Sequence, residues 1–212
     1  MSIDIKGLLE VISLDRVTEV LLDAFTDYPK LKFAFPEEYA RRNALELTIR
    51  YYGQFDMFFG NAYTLDEDAF EIALIVHSKE NKTSKSRCLK AGCYSIEYQE
   101  IKTRMPVEDR KKRLILFKEL EKLEKKIPMP KDHLYLDFLG VAKERQGEGR
   151  GSRLLGKICD HADSVGLPII LFTSDKEGRK FYKKFDFEDI ESVTSEKFGF
   201  TNYYMIREPK PV

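Results

Sequence analysis

Val141-Ala142-Lys143-Glu144-Arg145-Gln146-Gly147-Glu148-Gly149-Arg150-Gly151-Ser152 lies between an apolar run, Leu134 to Val141, and a segment in which Leu154, Leu155, Ile158, Cys159 and Ala162 recur at helical spacing. The order predicts a strand, a tight glycine-rich turn and a helix over 149–165. Three glycines remove side chains where a backbone must come close to something bulky. A helix start adds free N–H groups and the positive end of a dipole. Together these make a cradle for a pyrophosphate. Ser152 adds a hydroxyl donor, and Arg145, Arg150 and Arg153 are cations suited to phosphate. A ligand-free strand-to-helix turn is the plain alternative.

Spacing narrows the choice of ligand. Gly147, Gly149 and Gly151 alternate. The dinucleotide fingerprint needs one and then two intervening residues, and it opens the first strand–helix unit of a fold. Here the run sits two-thirds along the chain. The nucleoside-triphosphate loop needs a Gly-Lys-Ser/Thr end, which is missing. Gln146-x-x-Gly149-x-Gly151 matches instead the Gln/Arg-x-x-Gly-x-Gly/Ala signature of the GNAT acetyltransferases. The chain resembles this family over residues 133–190. His133 to Val141 looks like the family's central strand and Pro168 to Ser174 like the next one. Phe181 to Phe187 is similar to its Leu-Tyr-x-x-x-Gly-Phe close. A weaker likeness to small-molecule members covers Ala24-Phe25 and the helix after Pro36. Two positions depart from the pattern. Ser174 stands where many relatives have asparagine. Asp186 stands where they have a glycine that permits a left-handed turn, a conformation aspartate tolerates better than most residues.

The resemblance implies an α/β (α+β) fold: a mixed, mostly antiparallel central sheet with a splayed pair of parallel strands, flanked by helices. It implies a single domain over 1–212, with acceptor-side helices and first strands in 1–132, an acetyl-CoA-binding core in 133–190 and closing strands in 191–212. Acetyl-CoA is the implied co-substrate, with no metal. Backbone groups near Leu139 and Val141 would hold its pantetheine arm, and the Val141 N–H would polarise the thioester carbonyl as an oxyanion donor. The amides of Gln146, Gly147, Glu148, Gly149, Arg150, Gly151 and Ser152 would take the pyrophosphate. Ser174 and Tyr182 also fall on the cofactor side.

An alkyl amine, with a pKa near ~10, is mostly protonated at neutral pH, so direct attack needs a proton acceptor. Asp137 is the candidate base. If Val141 faces the slot, alternation puts Leu139, Asp137 and Tyr135 on that same face, and an acid is unusual in so apolar a strand. A structural carboxylate bonded to a neighbouring loop is the other reading. Tyr182 is the candidate general acid for the departing thiolate; the alternative is a helix tyrosine packed beside Phe181 and Phe185.

The rest of the chain supplies the frame. Residues 11–27 predict an amphipathic helix with Val17, Val20, Leu21, Ala24 and Phe25 on one face, stopped before Pro29. Pro36-Glu37-Glu38 predicts a second helix running to Tyr52 or beyond. The aromatic stretch Tyr51 to Tyr63 reads as core at its end, or as the wall of an acceptor pocket. Phe70, Ile72, Leu74 and Val76 mark a strand with one apolar face. Ser78 to Arg87 reads as a loop, and 108–127 as a charged helix with an apolar seam of Leu116, Leu120, Leu123 and Ile127 and a Glu121–Lys125 pair. Strands are further predicted over 134–141, 168–173, 187–193 and 203–207, with a short helix over 176–184.

Lys plus Arg total 36 and Asp plus Glu total 36, a balance that does not suggest a nucleic-acid partner. No apolar run approaches the ~18 residues of a membrane span, and the start Met1 to Lys6 lacks the pattern of a signal peptide. Three cysteines without paired spacing fit a reducing, cytoplasmic setting. His77, His133 and His161 lack metal-ligand spacing. The expected function is N-acetyl transfer to a small-molecule amine acceptor, by a monomer or homodimer. A peptide or protein acetyltransferase and a non-catalytic acyl-CoA sensor are the competing readings.

Overall fold

Alternating apolar residues in the middle of the chain become the centre of a sheet. The computed structural model describes residues 3–125 and 127–211. Met1 and Ser2, part of the N-terminal reading, lie outside the described residues, as do Lys126 and Val212. Among the described residues the sheet has seven strands: β1 (Leu9–Glu10), β2 (Asn61–Thr64), β3 (Glu71–His77), β4 (Leu134–Val141), β5 (Ile169–Thr173), β6 (Glu188–Thr194) and β7 (Thr201–Arg207). Their spatial order is β1-β2-β3-β4-β5-β7-β6. Neighbours are antiparallel except β4 and β5, which run parallel.

That parallel pair is bonded at only two places, Leu134 with Ile169 and Tyr135 with Ile170. Beyond them β4 continues to Val141 and β5 to Thr173 without further pairing, so the sheet splits into a V. The split coincides with a bulge. Ile75 faces Leu136 and Leu74 faces Phe138, which leaves Asp137 as the extra residue on β4.

Helices cover both faces. They are α1 (Leu14–Phe25), α2 (Pro29–Ala34), α3 (Glu38–Phe59), α4 (Lys85–Lys90), α5 (Cys93–Ser95), α6 (Lys102–Arg104), α7 (Val107–Glu124), α8 (Arg150–Val165) and α9 (Lys176–Lys183), with a π-helical segment at Ile96–Ile101. On one face Val17, Leu21, Leu45 and Ile49 from α1 and α3 pack against Ile72 and Leu74 of β3, with Leu116 and Leu120 of α7 in the same cluster. On the other, Leu154, Leu155 and Ile158 of α8 pack against Ala73, Ile75, Leu134 and Leu136. α1 lies directly on β4: a Cβ at Gly140 would come within 2.9 Å of Ala24 and Leu21 side-chain atoms. Only glycine allows that approach.

Several local expectations change. Pro29 ends α1 as expected, but it also occupies the first turn of α2, where its missing N–H costs nothing. The aromatic stretch does not continue one helix: α3 stops at Gly60, and Tyr63 belongs to β2. The expected loop after β3 turns helical at Lys85. β3 is buried on both faces rather than one, because α8 covers what α1 and α3 leave. Asp186 takes the left-handed conformation, φ 63°, at the turn after α9.

Candidate active site

The V between β4 and β5 opens into a cleft of about 1140 Å³ that runs from the glycine-rich turn to a floor formed by α2, α3 and α7. At the upper end Gly147 and Gly149 have φ values of 83° and 73°, and a Cβ added at either would point into open space. The first bond of α8 runs from the Arg153 N–H to the Gly149 carbonyl, which leaves the amides of Arg150, Gly151 and Ser152 as the free start of the helix. This is the geometry of an anion cradle, and the residues present fit a pyrophosphate. Ser152 and Arg153 are exposed there. Glu148 pairs with Arg145 at 3.0 Å, which offsets its negative charge beside the cradle.

Two side chains of the motif work within the protein. The Gln146 side-chain amide donates to the Val141 carbonyl at 3.0 Å and closes the turn. The Arg150 side chain is a correction to its reading as a phosphate cation. Its guanidinium is buried, donates to Glu71 and pairs with Asp66 at 2.6 Å. Glu71 is fully buried on β3, so Arg150 is the cation that makes an acid tolerable there. Only the backbone amide of Arg150 remains for a ligand.

Lower in the cleft the Ala142 N–H bonds to the Phe70 carbonyl beside β3. Strand alternation therefore turns the amides of Leu139 and Val141 toward the gap, free of a strand partner. The bulge overturns the expected facing of the side chains. Leu139 packs on the α8 side. Tyr135 and Asp137 project to the opposite side, toward α3 and α7. Plain alternation could not place them there, since one extra residue reverses every later side chain.

Asp137 meets Asp56, an acid of α3 that sequence reading did not single out. Asp56 is 2% exposed. It donates to Asp137, and the Tyr135 hydroxyl donates to Asp137 as well. Burial raises both carboxyls above the ordinary range, Asp56 the more strongly because the Asp137 charge adds to the penalty. The pair therefore shares one proton. Glu124 of α7, also unmarked in the sequence, is pushed up to about 7 by burial, with Lys30 opposing and Asp137 adding to the shift. Lys30, Tyr52, Glu124 and Tyr135 all line this floor. Of the aromatic stretch, Tyr52 and Phe55 reach the cleft; Phe59 packs with Phe55, Cys88 and Cys93 away from it.

On the β5 side, Tyr182 of α9 lines the cleft between Phe181 and Phe187, with ring centroids at 5.4 and 5.6 Å. Burial, then Tyr28 and Asp175, push its hydroxyl well above the ordinary range. Ser174 is buried behind the wall that Thr173 and Asp175 present to the cleft. Its backbone N–H donates to the Tyr28 hydroxyl at 2.8 Å, and Tyr28 also bonds the Thr173 hydroxyl at 3.0 Å. Tyr28 thus ties the α1–α2 junction to the tip of β5. Among the described residues no group of three or more His, Cys, Asp or Glu side chains could hold a metal ion, and no helix is long and apolar enough to cross a membrane.

The sequence profile of the acetyltransferase (GNAT) domain matches residues 78–207. The chain belongs to this family, whose donor is acetyl-CoA. A tRNA-acetylating toxin of Mycobacterium tuberculosis is 39% identical over 72 residues, 32% of this chain and 43% of that protein. An uncharacterized N-acetyltransferase of Schizosaccharomyces pombe is 35% identical over 78 residues, 36% of this chain and 32% of that protein. The chain therefore matches less than half the length of these curated relatives. Among solved structures, the histone acetyltransferase HPA2 and related acetyltransferase of Corynebacterium glutamicum superposes with a TM-score of 0.58 at 18% identity, over 97% of both chains. Arylalkylamine N-acetyltransferase 2 of Aedes aegypti gives 0.56 at 14% identity, over 96% of this chain and 98% of its own. At these identities the likeness is one of fold.

Proposed function

We propose that the protein transfers acetyl from acetyl-CoA to the primary amine of a small, positively charged acceptor by direct attack. One observation carries this reading: the cleft joins the glycine-rich cradle, without a break, to the buried carboxyl pair at Asp137. The cradle amides of residues 147–152 would take the pyrophosphate, and the strand amides in the gap would pair with the pantetheine arm. Asp137 takes the proton of the incoming ammonium, directly or through a water, and Asp56 steadies the carboxylate by donating to it.

This role selects the oxyanion donor. Along β4 the rise is about 3.3 Å per residue, so Leu139 lies roughly 7 Å from Asp137 and Val141 roughly 13 Å. An amine close enough to give its proton to Asp137 attacks a carbonyl beside Leu139. The Leu139 N–H is then the polarising group, and the Val141 N–H holds the arm further up. Tyr182, kept neutral by burial, supplies a proton to the leaving thiolate.

The test is isothermal titration with acetyl-CoA, followed in the same sample by thiol release against a panel of amines. Binding with release for small cationic amines is the expected result. Binding without release for any amine would favour a sensor, and no binding would return the glycine run to a structural turn.

A further inference from the structure

β4 and β5 are bonded only at their base, and beyond Tyr135 and Ile170 the two arms run unpaired. β4 continues for roughly 20 Å to Val141, and β5 for roughly 10 Å to Thr173. Arms joined at one end alone are free to change their opening at the other. Acetyl transfer needs that opening fixed. The thioester carbonyl is held from β4, while the proton donor for its sulfur stands on α9, beyond β5. A proton passes between heavy atoms about 3 Å apart, and a misplacement of ~1 Å lowers the rate by about 100-fold.

Tyr28 crosses the mouth between the arms. On the β4 side, a Cβ at Gly140 would lie 3.1 Å from the Phe25 ring, and that ring meets Phe138 edge-on at 5.8 Å. The Tyr28 ring meets Phe25 edge-on in turn, at 5.2 Å. On the β5 side, the Tyr28 hydroxyl accepts from the Ser174 N–H at 2.8 Å and shares a hydrogen bond with the Thr173 hydroxyl at 3.0 Å. Thr173 Oγ1 also accepts from the Asp175 N–H at 3.2 Å. Asp175 caps α9, accepting from the Gly178 N–H at 2.8 Å, one turn before Tyr182. Ring contacts and hydrogen bonds therefore run from β4 to the start of the helix that carries Tyr182.

We infer that Tyr28 is a positioning residue, a strut that holds the β5 arm and α9 at a fixed distance from β4 and so keeps the Tyr182 hydroxyl on the CoA sulfur. The inference rests on the reading of Tyr182 as the proton donor and deepens it. Tyr28→Phe keeps the ring on Phe25 but takes the acceptor from the Ser174 N–H, which frees the tip of β5. Thr173→Val preserves the branched side chain and removes one of the two bonds of the strut.

The test needs no acceptor. A hydroxyl aimed at the sulfur of bound CoA stabilises the thiolate and lowers the pKa of the thiol. That pKa is read by pH titration of thiolate absorbance, as the difference between complexes with CoA and with desulfo-CoA. The proteins are the wild type, Tyr28→Phe, Thr173→Val, Tyr182→Phe and the double variant of Tyr28→Phe with Tyr182→Phe. Tyr182→Phe is expected to raise the thiol pKa by about one unit, a 10-fold loss of thiolate at fixed pH, the scale of one hydrogen bond to a charged group. Tyr28→Phe is expected to raise it by a similar amount, and Thr173→Val by less. The double variant should match Tyr182→Phe alone, because Tyr28 acts through Tyr182. A thiol pKa unmoved by Tyr28→Phe and Thr173→Val while Tyr182→Phe raises it would overturn the inference, and a lowered urea midpoint in those two variants would then mark a structural tie only. Shifts that add in the double variant would also overturn it. No shift with Tyr182→Phe would instead remove Tyr182 from the sulfur, and the role of Tyr28 with it.

Discussion

Asp56 on α3 donates to Asp137 at the bulge of β4, and this contact joins the helical layer to the sheet where the two parallel strands part. Two carboxyls so close in a buried place cannot both ionise, so the pair titrates as a unit that holds one proton. Burial raises its proton affinity toward what abstraction from an amine near neutral pH requires. The same geometry makes Asp56 a positioning residue for the base.

The pH profile reports this directly. Activity needs Asp137 ionised, so kcat/KM falls as pH drops through the titration of the pair. Asp56→Leu removes the hydrogen bond that stabilises the Asp137 carboxylate and is expected to move this acidic limb to higher pH. Asp56→Asn keeps a donor and is expected to leave the limb near its wild-type position. A limb that stays in place with leucine would mean that Asp56 does not act on Asp137.

Glu124 offers a stability measurement. Burial pushes it from 4.5 up to about 7 in the folded protein. Between those pH values the folded state binds more protons than the unfolded state, so stability falls as pH rises across the window. Glu124→Gln removes that loss. The variant should match the wild type below pH ~4 and be more stable at pH ~8 by up to about 3 kcal/mol. Urea titrations at the two pH values check it, and an equal difference at both would contradict it.

Arg150 is expected to serve stability rather than cofactor charge recognition. Its guanidinium neutralises a fully buried Glu71. Arg150→Met leaves that carboxylate without its partner, and the expected loss is about 3–5 kcal/mol in chemical denaturation. Glu71→Gln in the same chain should recover part of it. A variant of unchanged stability but weakened acetyl-CoA binding would place the side chain on the phosphates instead.

Tyr182→Phe keeps the ring packing against Phe181 and Phe187 and removes only the hydroxyl. Turnover is expected to fall about 10-fold or more, with acetyl-CoA affinity nearly unchanged. Unchanged turnover would leave Tyr182 as a packing residue.

The sequence was most legible where local chemistry is self-sufficient. β4, the glycine turn, α8 and β5 follow from an apolar run, left-handed glycines and helical periodicity within forty residues, and each was placed within a residue or two. The seam of α7 and its Glu121–Lys125 pair, 2.7 Å in the structure, follow from helical spacing alone. What escaped depends on distant contacts. The two residues of β1 are strand only because β2 bonds them. The bulge at Asp137 exists only against the register of β3, and it is the feature that puts Tyr135 and Asp137 on the side of α3 and α7, opposite Leu139. Asp56 sits inside an aromatic run of a helix, and Glu124 in a charged one, so neither stands out until α3 and α7 meet β4. Arg150 looked like a phosphate ligand because Glu71, seventy-nine positions away, was not visible as its partner.

Thiol release by Asp137→Asn, beside the wild type and with acetyl-CoA binding measured on the same samples, tests the central claim most directly. The account predicts acetyl-CoA affinity within about 2-fold of wild type and turnover lower by about 100-fold or more, the usual contribution of a general base. Turnover equal to wild type, with binding intact, would contradict it and leave Asp137 a structural acid at the bulge.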